Sequence, residues 1–270
     1  PATSTEDPVG DTTGTWMLAG QSSHLLLNSK FNINQRAVSG SVVLGSGVYG
    51  HDRWKAGSGG CSYTFAKALG ITTLTISAGT LVQEIDGDNI ISGNHVLSWA
   101  GTAQAQVDGG GYGDTGEVVE TLIGGTNAVI EFGTGTVTKT QLDPGISSTL
   151  YKNLMYQSDL DACKLYFERI FCDNTNRIGS GYAHSTTSFY SMIRYTEKRI
   201  DPSVTYSGVT DFRVITFAGG IQTTVAITID KIGLRTAFLN CGSLTGMTAG
   251  EGGQIGGNVG IKYFDADSEI

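Results

Sequence analysis

An all-β chain is what the sequence predicts: a β-sandwich followed by a second β-rich module, with one short helix where the two meet. Three observations carry this reading. Apolar and polar residues alternate with period two in segment after segment. Glycine is abundant, 39 of 270 residues, with no fixed repeat and only 4 prolines. Helical spacing occurs once, in the middle of the chain. Glycine scattered between short apolar runs supplies the positive-φ positions that tight turns need. Its lack of a period argues against collagen, and the scarcity of proline against proline-rich linkers.

In chain order, residues 1–23 are polar and Gly/Thr-rich and read as a neck or linker. Pro1-Ala2-Thr3-Ser4-Thr5-Glu6-Asp7 has neither the basic start nor the apolar run of a signal peptide, so a longer protein is expected upstream. The sandwich is placed at 24–148, beginning at Leu25-Leu26-Leu27-Asn28. Its strands are read from Leu81 and Ile85 flanking Gln83, from Ala103, Ala105 and Val107, and from Ala128, Ile130 and Phe132. Such alternation marks half-buried strands of sheets with one wet face. Ser158–Ile170 breaks it: Leu160, Cys163, Phe167 and Ile170 fall at helical spacing. Ser158 is the expected N-cap, and Asp159 and Asp161 follow in the first turn, where the helix dipole favours them. The second module, 149–270, is expected to begin with this helix and to return to strands, as at Val225, Ile227 and Ile229.

The bulk chemistry narrows function. Net charge is −8 and the pI about 4.9. Phosphate is repelled by such a chain, so nucleic acid and anionic membrane are not expected partners. No stretch reaches the roughly 18 apolar residues of a membrane helix. Cys61, Cys163, Cys172 and Cys241 form no CxxC pair and are read as free, buried thiols of a protein assembled in a reducing cytoplasm.

Several strings resemble those of bacteriophage tail-fibre proteins. Leu26-Leu27-Asn28-Ser29-Lys30-Phe31-Asn32-Ile33-Asn34-Gln35-Arg36 is similar to an opening "LLxNxxFxIxQR", and Asp52-Arg53-Trp54 to the "DRW" that follows it. Leu81–Ile85 and Gly93–Ala100 resemble "LxQxI…GxxVxLSxWA", shared with carbohydrate-binding modules of xylanases and cellulases. Gln141-Leu142-Asp143-Pro144-Gly145 resembles a closing "QLExG", with Asp143 replacing Glu. Asp159–Ile170 is similar to the fibre family's "ELxxCxRYYxxI". Met192-Ile193-Arg194 with Pro202 and Val204 loosely resembles "MRxxPxV", and the end, Tyr263–Ile270, resembles "xxDAEI" with insertions. The resemblance spans roughly residues 25–270. It implies a jelly roll followed by a trimerising fibre-tip module. It also implies a virion protein assembled in the host cytoplasm, with three partners: itself as homotrimer, an upstream fibre shaft and bacterial surface polysaccharide. Most of these strings are fold determinants and do not locate a binding site.

Sugars are held by aromatic rings and planar polar groups. Trp54 and Trp99, on patterned strands, are assigned to the sandwich core. Tyr112 and Asp114 lie in a Gly-rich loop, Asp108–Asp114, that is either a ring held out for recognition or a flexible loop with an incidental tyrosine. Tyr49, Asp52 and Arg53 are binding candidates, the latter two alternatively a pair that pins their loop. Gly179-Ser180-Gly181-Tyr182-Ala183-His184-Ser185 and Tyr190 form a polar, aromatic run at either the exposed tip or a trimer interface. No metal is expected: the acidic Glu84–Asn89 run lacks the ligand spacing of a calcium loop, and His24, His51, His95 and His184 lack zinc spacing. No cofactor is expected, since the Gly-rich strings carry no phosphate-binding lysine. No nucleophile motif is present, so no enzyme is expected, although carboxylates paired across strands are invisible in a sequence. Receptor binding leads. A structural, trimerising connector follows, and a glycan depolymerase or deacetylase comes last.

Overall fold

A computed structural model describes residues 24–113, 116–218, 220–224 and 226–269. The expected neck (1–23), Asp114 and Val225 lie outside the described residues.

The first half contributes β1 (Val42–Leu44), β2 (Lys55–Ala68), β3 (Ile71–Ile85), β4 (Gly93–Gly101), β5 (Ala105–Val107), β6 (Glu117–Leu122), β7 (Ala128–Phe132) and β8 (Gly135–Pro144). The order β1-β2-β3-β8-β4-β6 makes one path, and β7 branches from β3 to reach β5. β3 therefore serves two layers: Leu74–Ile76 pairs with β8, and Leu81–Ile85 pairs with β7. The change of partner falls at Gly79, whose φ is +68° and where a Cβ would stand 2.0 Å from the Gly60 carbonyl oxygen. Only glycine permits that corner. Both halves of β3 bury into one core, with Leu74, Ile76, Leu81 and Ile85 around Trp54, Trp99 and Phe132. Trp54 and Trp99 are core residues, as their pattern indicates.

A single helix, α1 (Tyr156–Lys164), leads into β9 (Phe167–Cys172), β10 (Arg177–Ala183), β11 (Phe189–Arg194), β12 (Ser203–Tyr206), β13 (Phe212–Thr216), β14 (Ile221–Thr223), β15 (Ala226–Gly233), β16 (Thr236–Gly242), β17 (Gly252–Gly257) and β18 (Lys262–Asp267). Seven strands order as β14-β13-β17-β10-β11-β16-β15, and three as β12-β18-β9. Phe189, Val214, Leu239 and Ile255 from the larger sheet pack with Cys172, Val204 and Phe264 from the smaller. This is a two-layer β arrangement whose larger sheet keeps its second face outside.

Two local expectations are corrected. α1 ends at Lys164, and Phe167 and Ile170 belong to β9, paired with Asp267 and Phe264 of β18. Their spacing fits a helix, but pairing with a strand ninety residues on overrides local propensity. The helix starts earlier too, with Met155 as an N-cap lacking a side-chain bond, and Ser158 falls inside the first turn. Before β1, the segment 25–37, with Gln35 and Arg36 near its end, is irregular and hydrogen-bonded rather than a strand. Their polar heads nevertheless tie down the 51–53 loop: Gln35 Nε2 donates to Asp52 Oδ2 at 2.7 Å. All four cysteines are free and buried. Among the described residues no helix is long and apolar enough to cross a membrane.

Candidate functional site

The candidate residues occupy three places. Asp52 and Arg53 lie inside the junction between the two halves. They are not paired with each other. The Asp52 carboxylate accepts from Gln35 and lies 3.5 Å from Arg36 Nη1. Arg53 pairs with Glu269, donates to the Glu84 carbonyl at 2.6 Å, and stacks 3.6 Å over the Tyr166 ring. Asn28, at φ +51°, bridges the same core: its amide holds both ends of Ile33 and the Asp52 carbonyl, and its N–H donates to Asp159 Oδ1 at 2.8 Å. Asp52 and Arg53 are 0% and 2% exposed, so they bind the molecule to itself. Burial pushes the Asp52 carboxyl up to about 6, against the pull of Gln35 and Arg36. Burial also depresses neighbouring His51 to about 4. Tyr49 borders this junction, with the Arg36 guanidinium 5.0 Å from its ring centre.

Tyr112 stands at the edge of the first half, where its hydroxyl is tied to Glu131 of β7. Burial and that carboxylate raise its pKa, so it stays a neutral donor. The acids of the 84–89 turn are engaged: Glu84 holds Lys55 at 2.9 Å, and Asp86 holds Arg199 at 2.8 Å. Among the described residues no three His, Cys, Asp or Glu side chains converge as a metal site.

The third place differs. Tyr182 and His184 are exposed, and with half-buried Tyr190 they form an aromatic shelf on the outer face of the seven-stranded sheet. Tyr182 and Tyr190 face each other across β10 and β11, with ring centres 6.1 Å apart and edge to face. His184 stacks on Tyr190 at 4.5 Å and 8°. Alternation builds the shelf: Ala183 and Phe189 turn into the core, which sends Tyr182 and Tyr190 outward. Gly181 brings the strands together, since a Cβ there would stand 1.8 Å from the Tyr190 carbonyl oxygen. Two residues along each strand, Ser180, Met192 and Gln254 continue the same face into a hollow of about 330 Å³, lined also by Arg177 and Arg194. Among the described residues the side chains of Tyr182, His184, Ser180, Gln254 and Arg194 form no hydrogen bond or ion pair within the molecule.

Sequence reading found the shelf's rings, with Ser180 in the same run, but missed Arg177, Arg194 and Gln254. The Gly179-Ser180-Gly181-Tyr182 alternation signals the outward Ser180. The others depend on strand register. No family model matches this chain, nor does any curated protein or solved structure.

Proposed function

We propose that this chain is the receptor-binding end of a bacteriophage tail fibre, which holds bacterial surface glycan, capsule or lipopolysaccharide, without altering it. The tail-fibre strings support the context. The observation that carries the binding role is the shelf: three adjacent rings, half-buried or exposed, on a rigid sheet, beside polar groups with unused hydrogen-bonding capacity. Aromatic faces against sugar C–H bonds and planar polar groups against hydroxyls are the means of gripping a neutral or acidic sugar. Weak single sites suffice, because several copies on one fibre multiply affinity.

The test is binding of the purified chain to host cells, beside cells stripped of capsule or of lipopolysaccharide side chains. Binding that vanishes with one glycan, with no oligosaccharide released, is expected. Released oligosaccharide would mean an enzyme, and no binding to any susceptible strain would overturn the reading.

A second reading, a trimerising connector, is favoured by an apolar patch elsewhere. Phe171 and Ile261 line a shallow hollow at the edge of the three-stranded sheet, and Val259 is exposed nearby. Homotrimer formation would cover such a patch. Light scattering at micromolar concentration tests it, and a monomer would remove this part.

A further inference from the structure

The chain has eight arginines. Five of them hold carboxylates: Arg36, Arg53, Arg169, Arg199 and Arg235. The remaining three, Arg177, Arg194 and Arg213, have no ion pair among the described residues, and all three belong to the seven-stranded sheet. Strand register explains their meeting. Arg213 and Arg177 both pair with Gly256, one from each side of β17, and Arg194 stands one strand further, on β11. Gly256 is the space between them, since a Cβ there would lie 3.0 Å from Arg177 Cδ. Arg177 and Arg213 are held side by side because both donate to the Asn174 carbonyl. Arg177 and Arg194 line the hollow with Ser180, Met192 and Gln254, and the Ser180–Met192 pair lies two residues along the strands from Tyr182 and Tyr190 on the same face.

In a protein with net charge −8, three unpaired guanidinium groups along one row of one face are a local reversal of charge. The nearby carboxylate, Asp173, is turned to its own loop, where it accepts from the N–H groups of Thr175 and Asn176 and from the Thr175 hydroxyl. Arg213 Nε is buried without a hydrogen-bond partner, a donor left unused. An arginine fork matches a carboxylate in geometry and charge.

We infer that the row of Arg213, Arg177 and Arg194 selects an acidic glycan, one whose sugar ring rests on Tyr182 and Tyr190 while a uronate carboxylate lies against the guanidinium groups. This rests on the glycan-binding reading and names its ligand class. A uronate sugar places one carboxylate per ring and suits a hollow of this size.

The experiment measures calorimetric binding of the full chain to galacturonate and mannuronate oligomers, to maltohexaose, and to an oligothymidylate. The wild type, Arg194→Gln and Tyr182→Ala are compared. Both altered side chains are exposed, and circular dichroism confirms folding. The acidic oligomers are expected to bind, to weaken about tenfold in Arg194→Gln, and to weaken further as salt shortens the screening length below about 8 Å. Maltohexaose binding as well as the acids, lost in Tyr182→Ala but unchanged in Arg194→Gln, would overturn the acidic selection and leave the glycan reading standing. Binding of the oligothymidylate alone would overturn the uronate assignment in favour of phosphate. No binding of any oligosaccharide, with crosslinking of Arg194→Cys to a second copy, would overturn both, because the face would then be an interface.

Discussion

The junction and the outer face of the seven-stranded sheet are both rich in arginine and aromatic rings, yet they use them in opposite ways. At the junction, Arg53 has its carboxylate, its carbonyl and its ring, and Arg36 lies 3.6 Å over Phe167 while facing Asp52, Asp267 and Glu269. Arg169 adds a bidentate pair with Asp265 and a bond to the Arg36 carbonyl. On the outer face, Arg177, Arg194 and Arg213 have no carboxylate partner among the described residues, and the rings beside them touch only one another. A buried ion pair adds little net stability but is costly to break. Exposed groups on a rigid sheet cost little and remain available. Clusters alike in composition thus divide into a part that holds the two halves together and a part that can hold something else.

The largest effect should come from breaking the closed region. Arg53→Met takes away the hydrogen-bonded partner of buried Glu269, leaving it only Arg36 at 3.5 Å, and is expected to cost about 3–5 kcal/mol in urea unfolding. A loss under about 1 kcal/mol would mean that the junction is less closed than described. Asn28→Ala removes an amide that serves Ile33 and Asp52 in a left-handed backbone position. It should cost about 2–4 kcal/mol by the same measurement.

Asp52 sharpens the comparison through pH. Its carboxyl is raised by burial to about 6 in the folded protein, from an ordinary 3.8. A carboxyl raised on folding adds stability below its unfolded value and loses it as pH rises through the folded value. Relative to Asp52→Asn, the wild type should therefore gain about 1–3 kcal/mol as pH falls from 7 to 4. His51, lowered to about 4 by burial, acts in the opposite direction over pH 6.5 to 4, but it is present in both proteins and drops out of the difference. A difference that does not change with pH would remove Asp52 from the buried set. The smallest stability effect belongs to the open region: Tyr182→Ala and Arg194→Gln should each shift unfolding by no more than about 0.5 kcal/mol.

The strands legible in the sequence are those with one buried face. Ala105 and Val107, and Ala128, Ile130 and Phe132, alternate with half-buried neighbours as period two requires. The helix was legible only in part, because Phe167 and Ile170 satisfy helical spacing while their partners in β18 lie far along the chain. The candidate site divides in the same way. Tyr182, His184 and Tyr190 are visible as a local run of aromatic and polar residues. The arginine row depends on the registers of β13, β17, β10 and β11, four strands whose order no local pattern encodes. Arg53 is the converse: it looks available beside Asp52 until Glu269, 216 residues later, is placed against it.

The most direct measurement is binding of the Tyr182→Ala/Arg194→Gln double variant to encapsulated host cells, read beside its thermal unfolding midpoint. Binding that disappears while the midpoint stays with the wild type is the expected result. Undiminished binding by the double variant would contradict the assignment of recognition to the outer face of the sheet.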